Sequence, residues 1–256
     1  MTQVDDAARQ TAISAYFKAF CMPGALRTYA AIAREAEETG QGYLAFLESV
    51  LAQEMQSREH NRIARHLAEA RLPYPKTLDG FDFSALPSLN RLQFLALARG
   101  EFVREKENVL LIGNSGLGKT HLGIALAHAL VHEGFRARFT TATALSQELL
   151  AAQAEMRLAR ALRGFSRFDL VVVDELGYVP FARDGAELLF QFFAERYERG
   201  SVLVTSNLEF SRWTEVFGDS GMTSALIDRL VHRAHIFALT GESYRFRQAQ
   251  SREAAS

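Results

Sequence analysis

The chain has 256 residues, 48% of them hydrophobic and 23% charged, so it can bury a sizeable core and lies far from the composition of disordered chains. Its 29 Lys and Arg against 30 Asp and Glu leave a formal net charge of −1, which removes global basicity as an argument for nucleic acid and leaves only local clusters to make one. The single cysteine, Cys21, excludes an intramolecular disulfide and a cysteine-based zinc knuckle, and reads as a small core residue in a reducing compartment.

The opening residues, MTQVDDAARQ, carry acids where a signal peptide needs a basic and then an apolar stretch, and no apolar run reaches the length of a membrane span. A cytoplasmic location and no membrane partner are expected. Tyr43, Leu44, Phe46, Leu47, Val50, Leu51 and Met55 then recur at helical spacing with Gly and Pro sparse, which predicts a small all-helical domain over 1–72. Within it, SREHNRIARHLAEAR sets Arg58, Arg62, Arg65 and His66 at helical spacing, with Glu59 and Glu69 diluting the charge. Two readings stand: a surface helix with internal Glu–Arg pairs worth about 0.2–0.5 kcal/mol each, or a DNA-binding or partner-docking face. Three prolines between Pro73 and Pro87, in LPYPKTLDGFDFSALP, break helical structure and put a linker at 73–90 ahead of a second domain over 91–256.

Short apolar runs follow at 108–112, 136–140, 169–173, 201–205 and 235–239, separated by helical stretches. This alternation predicts βαβ units and an α/β domain on a five-stranded parallel sheet. Directly after the first run comes GNSGLGKT, a complete GxxxxGKT that opens a helical stretch. In that setting the glycines let backbone N–H groups converge on phosphate oxygens, and the helix adds the partial positive charge of its N-terminus. Gly113, Asn114, Ser115, Gly116, Leu117, Gly118, Lys119, Thr120 and His121 are therefore candidates for binding a nucleoside triphosphate. Lys119 is expected on the β and γ phosphates and the Thr120 hydroxyl on magnesium. His128 and His132 on the following helix have no third ligand and read as parts of an amphipathic face rather than a zinc site.

Between the second and third strands, EMRLARALRGFSR carries Arg157, Arg160, Arg163 and Arg167. At about 100° per residue these arginines share an arc of about 120°, provided that one helix persists through Gly164. Four phosphate contacts from such a stripe predict a salt slope of about −3.6 on duplex DNA; a solvated face or intersubunit ion pairs explain the pattern as well. No aromatic spacing suggests base stacking and no recognition-helix pattern stands out, so any DNA binding is expected to be largely independent of sequence.

The third strand ends in LVVVDEL, two acids at the carboxyl edge of a parallel sheet, where open α/β folds bind their ligands. Asp174 suits the magnesium shell, and Glu175, pointing the other way, suits polarising a water for in-line attack, which makes hydrolysis the expected reaction. Asn207 ends VLVTSN beside it and could orient the same water. In TSALIDRLVHRA, Arg229 and Arg233 have three destinations: solvent, a pair with Asp228, or the γ phosphate of a neighbouring subunit. The spacing does not choose.

In this order, GNSGLGKT, DELGYVPF, TSN, DRL and SYR, preceded by LPYPKTLDGFDF and followed by GESYRFRQ, resemble the IstB-type transposition helpers over about Phe17 to Gln248. That group belongs to the AAA+ ATPases and is related to the DnaC helicase loaders and DnaA initiators. The resemblance implies a P-loop AAA+ core with GNSGLGKT as Walker A, VVVDE as Walker B, Asn207 as the sensor and Arg229 as the arginine acting on the neighbouring subunit's site. It also implies ATP and Mg2+ as cofactors, with ATP sites at the subunit interfaces of a homo-oligomer. This oligomer assembles on duplex DNA, bends or remodels it and recruits a partner transposase. Helicase loading on the same core is the alternative. The chain ends soon after the fifth strand, so no separate C-terminal lid is expected, and Arg245 in SYR is the candidate for a second sensor.

Overall fold

Two compact units, residues 1–65 and 66–256, divide the chain. The computed structural model describes residues 3–244, so Arg245 and the tail after it lie outside the described residues. The first unit holds α1 (Gln3–Ala19), α2 (Pro23–Thr39) and most of α3 (Tyr43–Ala70). Pro23 sits at the start of α2, where its missing N–H matters least, and Gly40 ends the helix in the left-handed conformation at φ 66°. Met22 offers this helix no side-chain cap; instead the buried Glu54 of α3 accepts the Ala25 N–H at 3.0 Å. Burial pushes the Glu54 carboxyl up, but hydrogen bonds from Arg58 and from the Ala25 and Gly24 backbone outweigh it and hold the group below the usual range. Gly24 lets the helices approach, since a Cβ there would lie 2.7 Å from the Ser57 Cβ.

The expected apolar face of α3 divides in two. Val50 turns inward, whereas Leu44, Leu47, Leu51 and Met55 are exposed. Cys21, expected in the core, is exposed in the left-handed turn between α1 and α2.

In the second unit, the short helices α4 (Arg91–Ala96) and α5 (Glu101–Arg104) precede β1 (Asn108–Gly113), α6 (Lys119–His132), β2 (Ala137–Thr141), α7 (Ala142–Ala154) and α8 (Leu158–Phe165). Next come β3 (Leu170–Leu176), α9 (Arg183–Arg196), β4 (Ser201–Ser206), α10 (Thr214–Phe217), α11 (Ser220–Val231) and β5 (Ala234–Leu239). The five strands form one parallel sheet in the order β2-β3-β4-β1-β5, as the alternation predicts. The inner strands read as continuous apolar runs because helices cover both faces. On one face Val171, Val173, Val202 and Val204 pack with Leu145 and Leu149 of α7, Leu189 and Phe192 of α9 and Leu226 of α11. On the other, Gly123 brings α6 down onto Leu203 and Val172.

Two buried polar side chains pin this core. Trp213 donates from its ring nitrogen to the Leu208 carbonyl at 3.1 Å. Arg196 of α9 donates to the carbonyls of Phe165, Phe168 and Ser201 at 3.0, 3.1 and 2.8 Å, and burial brings its guanidinium down to about 10. Among the described residues no helix is long and apolar enough to cross a membrane.

Candidate functional site

Strand β1 ends at Gly113 and α6 begins at Lys119, so the GxxxxGKT loop spans the turn from strand to helix. Gly116 and Gly118 hold φ of 83° and 82°, and neither leaves room for a side chain: a Cβ on Gly118 would lie 2.7 Å from the Phe81 ring, and one on Gly116 would meet Ser243. The Lys119 ammonium is drawn back onto the loop and donates to the carbonyls of Gly113 and Asn114 at 2.6 and 2.7 Å. His121, one residue past Thr120, meets Phe81 edge-on at 5.1 Å and its Nε2 lies 3.3 Å from the Thr77 carbonyl. Burial pulls the His121 imidazole down, Lys76 adds to that, and the Thr77 contact opposes it.

The acids at the end of β3 are separated by the backbone itself. The β3–β4 register shifts between Val173 and Leu176, and Glu175 adopts φ 61°, a left-handed conformation rare for a residue with a side chain. Asp174 is buried, whereas Glu175 is exposed to the cleft. The Asp174 Oδ1 accepts from the Thr120 hydroxyl at 3.0 Å and from the Thr205 hydroxyl at 2.5 Å. Thr205 in turn accepts the Glu175 N–H at 2.9 Å. Burial raises the Asp174 carboxyl; the hydrogen bonds from Thr205, Thr120 and the Glu175 backbone and the charge of Lys119 oppose the rise.

These residues open on one cleft of about 640 Å³, lined by the loop from Ser115 to His121 together with Glu175, Thr205 and Asn207. The sequence candidates Lys119, Thr120, Glu175 and Asn207 thus meet at one place, with Asp174 hydrogen-bonded to Thr120. A hydroxyl and a buried carboxylate form a hard oxygen donor pair that fits Mg2+ completed by phosphate and water oxygens. Among the described residues no group of three His, Cys, Asp or Glu could hold a metal alone, and that includes the neighbouring His128 and His132. Arg229 stands elsewhere: it donates to the Ala225 carbonyl at 2.8 Å and lies 5.1 Å over the Phe190 ring.

Three contributions to the cleft carry no signal in the local spacing. The end of the fourth strand points to Asn207, whereas Thr205, two residues earlier, is the one that bonds to Asp174. Tyr74, Lys76 and Phe81, in the stretch read as a linker, line the cleft. Beyond β5, Glu242 and Tyr244 do so too, and the Tyr244 N–H donates to the Gly116 carbonyl at 3.0 Å.

The basic residues are arranged differently from the expected stripes. Helix α7 stops at Ala154 in a Schellman-type turn, with Met156 at φ 55° and the Arg157 N–H reaching the Ala152 carbonyl at 2.7 Å. Arg157 is only the cap of α8, which survives Gly164 but ends at Phe165, ahead of Arg167. Arg160 and Arg163 alone of the four lie within a helix, so the single face does not exist. In the first unit, Arg58 is bonded to Glu54 and the Cys21 carbonyl at 2.7 and 2.9 Å and Arg62 to Glu59 at 2.6 Å, while Arg65 is exposed.

Residues 15–253 match the family model described as IstB-like ATP binding protein. The chain is 39% identical over 214 residues to the ATP-binding protein of insertion sequence IS21 from Pseudomonas aeruginosa, covering 84% of this chain and 81% of that one. It is 36% identical over 232 residues to the ATP-binding protein of insertion sequence IS5376 from Geobacillus stearothermophilus, covering 91% and 92%. Among solved structures, the DnaC helicase loader superposes with a TM-score of 0.52 at 20% identity over 69% of this chain and 99% of that one. DnaA from Aquifex aeolicus does so with a TM-score of 0.57 at 16% identity over 72% and 56%. At these identities the likeness is one of fold, that of the AAA+ ATPases.

Proposed function

Because the chain belongs to the family of IstB-like ATP-binding proteins, we propose that it is an ATP-hydrolysing helper of DNA transposition. It assembles as a homo-oligomer on duplex DNA, bends or remodels that DNA and recruits a partner transposase. Residues 1–72 serve as the DNA- or partner-binding part and 91–256 as the ATPase.

The observation that carries the reading is the Thr120–Asp174–Thr205 hydrogen-bond cluster, joined to the same cleft as Lys119, Glu175 and Asn207. When bound, ATP supplies the scissile γ-phosphoryl bond and Mg2+ offsets the charge on its oxygens. Lys119 exchanges two loop carbonyls for β and γ phosphate oxygens, and the loop N–H groups cradle the chain of phosphates. Thr120 and Asp174 hold the metal. Glu175 takes a proton from the attacking water, leaving ADP and phosphate, and Asn207 orients that water. Arg229, remote from its own chain's cleft, reaches the γ phosphate held by a neighbouring subunit.

Phosphate release and sedimentation of the purified protein with ATP and Mg2+ test this, with duplex or single-stranded DNA added. Turnover stimulated by duplex, with ATP-dependent multimers on it, is the expected result. No turnover with either DNA removes the ATPase reading, and strict preference for single strands replaces the transposition helper with a helicase loader.

A further inference from the structure

Five arginines surround a second hollow of about 540 Å³, lined by Arg71, Arg138, Arg157, Arg160 and Arg167, with Glu148 as the one acid among its lining residues. It lies at the opposite end of the sheet from the nucleotide cleft: Arg138 is the second residue of β2, and the adjoining Phe168 comes just before β3. The breakdown of the expected stripe creates it. The turn that ends α7 and the early end of α8 bring Arg157, Arg160 and Arg167 around Arg138, which a single straight helix would not do.

Arg138 makes this more than a basic surface. The residue is 8% exposed, its Nε has no hydrogen-bond partner among the described residues, and its guanidinium stays 3.9 Å from Glu148, beyond hydrogen-bonding distance. With its Nε unpartnered and Glu148 as its ion-pair partner at 3.9 Å, this nearly buried cation gains from a second anion in the hollow. Burial pulls Arg138 down, as do the charges of Arg71 and Arg167, and Glu148 only partly compensates. At the rim, Arg167 is held 4.8 Å over the Phe168 ring, and Arg157 pairs with Glu155. Five arginines against one acid around a single hollow favour a ligand of more than one negative charge, and their planar guanidinium forks match the oxygens of a phosphate.

We propose that this hollow is a phosphate site distinct from the ATP cleft, with Arg138 at its floor and Arg71, Arg160 and Arg167 at its rim. The phosphate comes from the backbone of duplex DNA or from a free polyphosphate compound. The first source rests on the DNA-binding reading above; the second does not.

Two measurements on the full chain decide it. In the first, fluorescence anisotropy follows duplex binding by the wild type and by the exposed-rim double variant Arg71→Gln/Arg160→Gln between about 50 and 200 mM salt. Loss of two phosphate contacts is expected to shrink the salt slope by about 1.8 and to weaken binding at least about tenfold. In the second, sodium tripolyphosphate is added to Lys119→Ala, whose ATP cleft is disabled, with and without Arg138→Gln; a rise in Tm that Arg138→Gln removes is expected. A shrunken slope establishes the site with DNA as its source. An unchanged slope, or no duplex binding by the wild type, together with the Arg138-dependent Tm rise establishes it with free polyphosphate as its source. If the wild type binds duplex with the same slope as the rim variant and tripolyphosphate leaves Tm unmoved, the site is overturned while the DNA reading survives elsewhere. If the wild type binds no duplex and Tm is also unmoved, both fall.

Discussion

The Thr205 hydroxyl donates to the Asp174 carboxylate at 2.5 Å and accepts the Glu175 N–H at 2.9 Å, so one side chain from β4 fixes both acids at the end of β3. A hydrogen bond to a charged group contributes about 1.5–3 kcal/mol, and its loss would also orphan the Glu175 N–H at the point where the backbone is left-handed. Thr205→Val keeps the shape and removes the hydroxyl. We predict a lower Tm and a turnover at least about tenfold down, with Thr205→Ser restoring most of both. Unchanged turnover in the Val variant would show that Glu175 holds its position without help.

Asp174 gives a prediction with a defined pH sign. Burial raises its folded-state pKa, so the native state keeps the proton longer than the unfolded chain does. Below the ordinary carboxylate range both states are protonated and the group is neutral to stability. As pH rises from there through the raised value, stability falls, and above it the buried charge remains a standing destabilisation until a cation lies against it. Asp174→Asn is therefore expected to leave ligand-free Tm at pH 7 equal or higher, and to abolish the further rise that Mg2+ and ATP give the wild type. Thermal unfolding with and without ligand checks this; a Tm rise with Mg2+ and ATP retained in the Asn variant would remove Asp174 from the metal shell.

Lys119 and Glu175 separate binding from chemistry. Lys119→Ala removes the cation opposite the phosphates and is expected to abolish ATP binding, as read by equilibrium titration. Glu175→Gln keeps the exposed side chain's size and loses its basicity, so ATP still binds while turnover falls by about 10²–10⁴-fold, the range for losing a general base. The assembled, ATP-bound form should then accumulate in sedimentation. Comparable turnover in Glu175→Gln and wild type would assign the base elsewhere.

What the sequence discloses here is the chemistry that local spacing dictates. GNSGLGKT needs only a strand before it and a helix after it, and Asp174 needs only to end an apolar run, so both are visible in a few residues. Thr205, Phe81 and Tyr244 reach the cleft by tertiary placement: β4 lies beside β3, Phe81 packs on Gly118, and Tyr244 bonds back to Gly116. No periodicity carries that information. The arginine stripe fails for a different reason. A helical wheel assumes an unbroken helix, and the left-handed turn at Met156 breaks it in a stretch with neither Gly nor Pro to mark the spot. In α3 the period is right but the partner is not predictable, so Leu44 and Leu47 count as core in the pattern and are exposed in the structure.

Arg229 provides the test of assembly. Its guanidinium lies over Phe190 and bonds to the Ala225 carbonyl, and it is not among the residues lining the cleft of its own chain, so the proposed part at a γ phosphate is predicted to be played across a subunit boundary. An arginine supplied in trans contributes about 10³–10⁵-fold to turnover in comparable phosphoryl transfers. Arg229→Ala should therefore bind ATP with wild-type affinity, still form multimers, and lose turnover by about 10³-fold or more. Mixing decides the geometry. If each arginine serves the next subunit, adding the variant to a fixed amount of wild type lowers the activity of the wild-type subunits themselves, because some of their sites now face an alanine. If it acts within its own chain, the mixture retains the activity of its wild-type fraction and the trans assignment is lost.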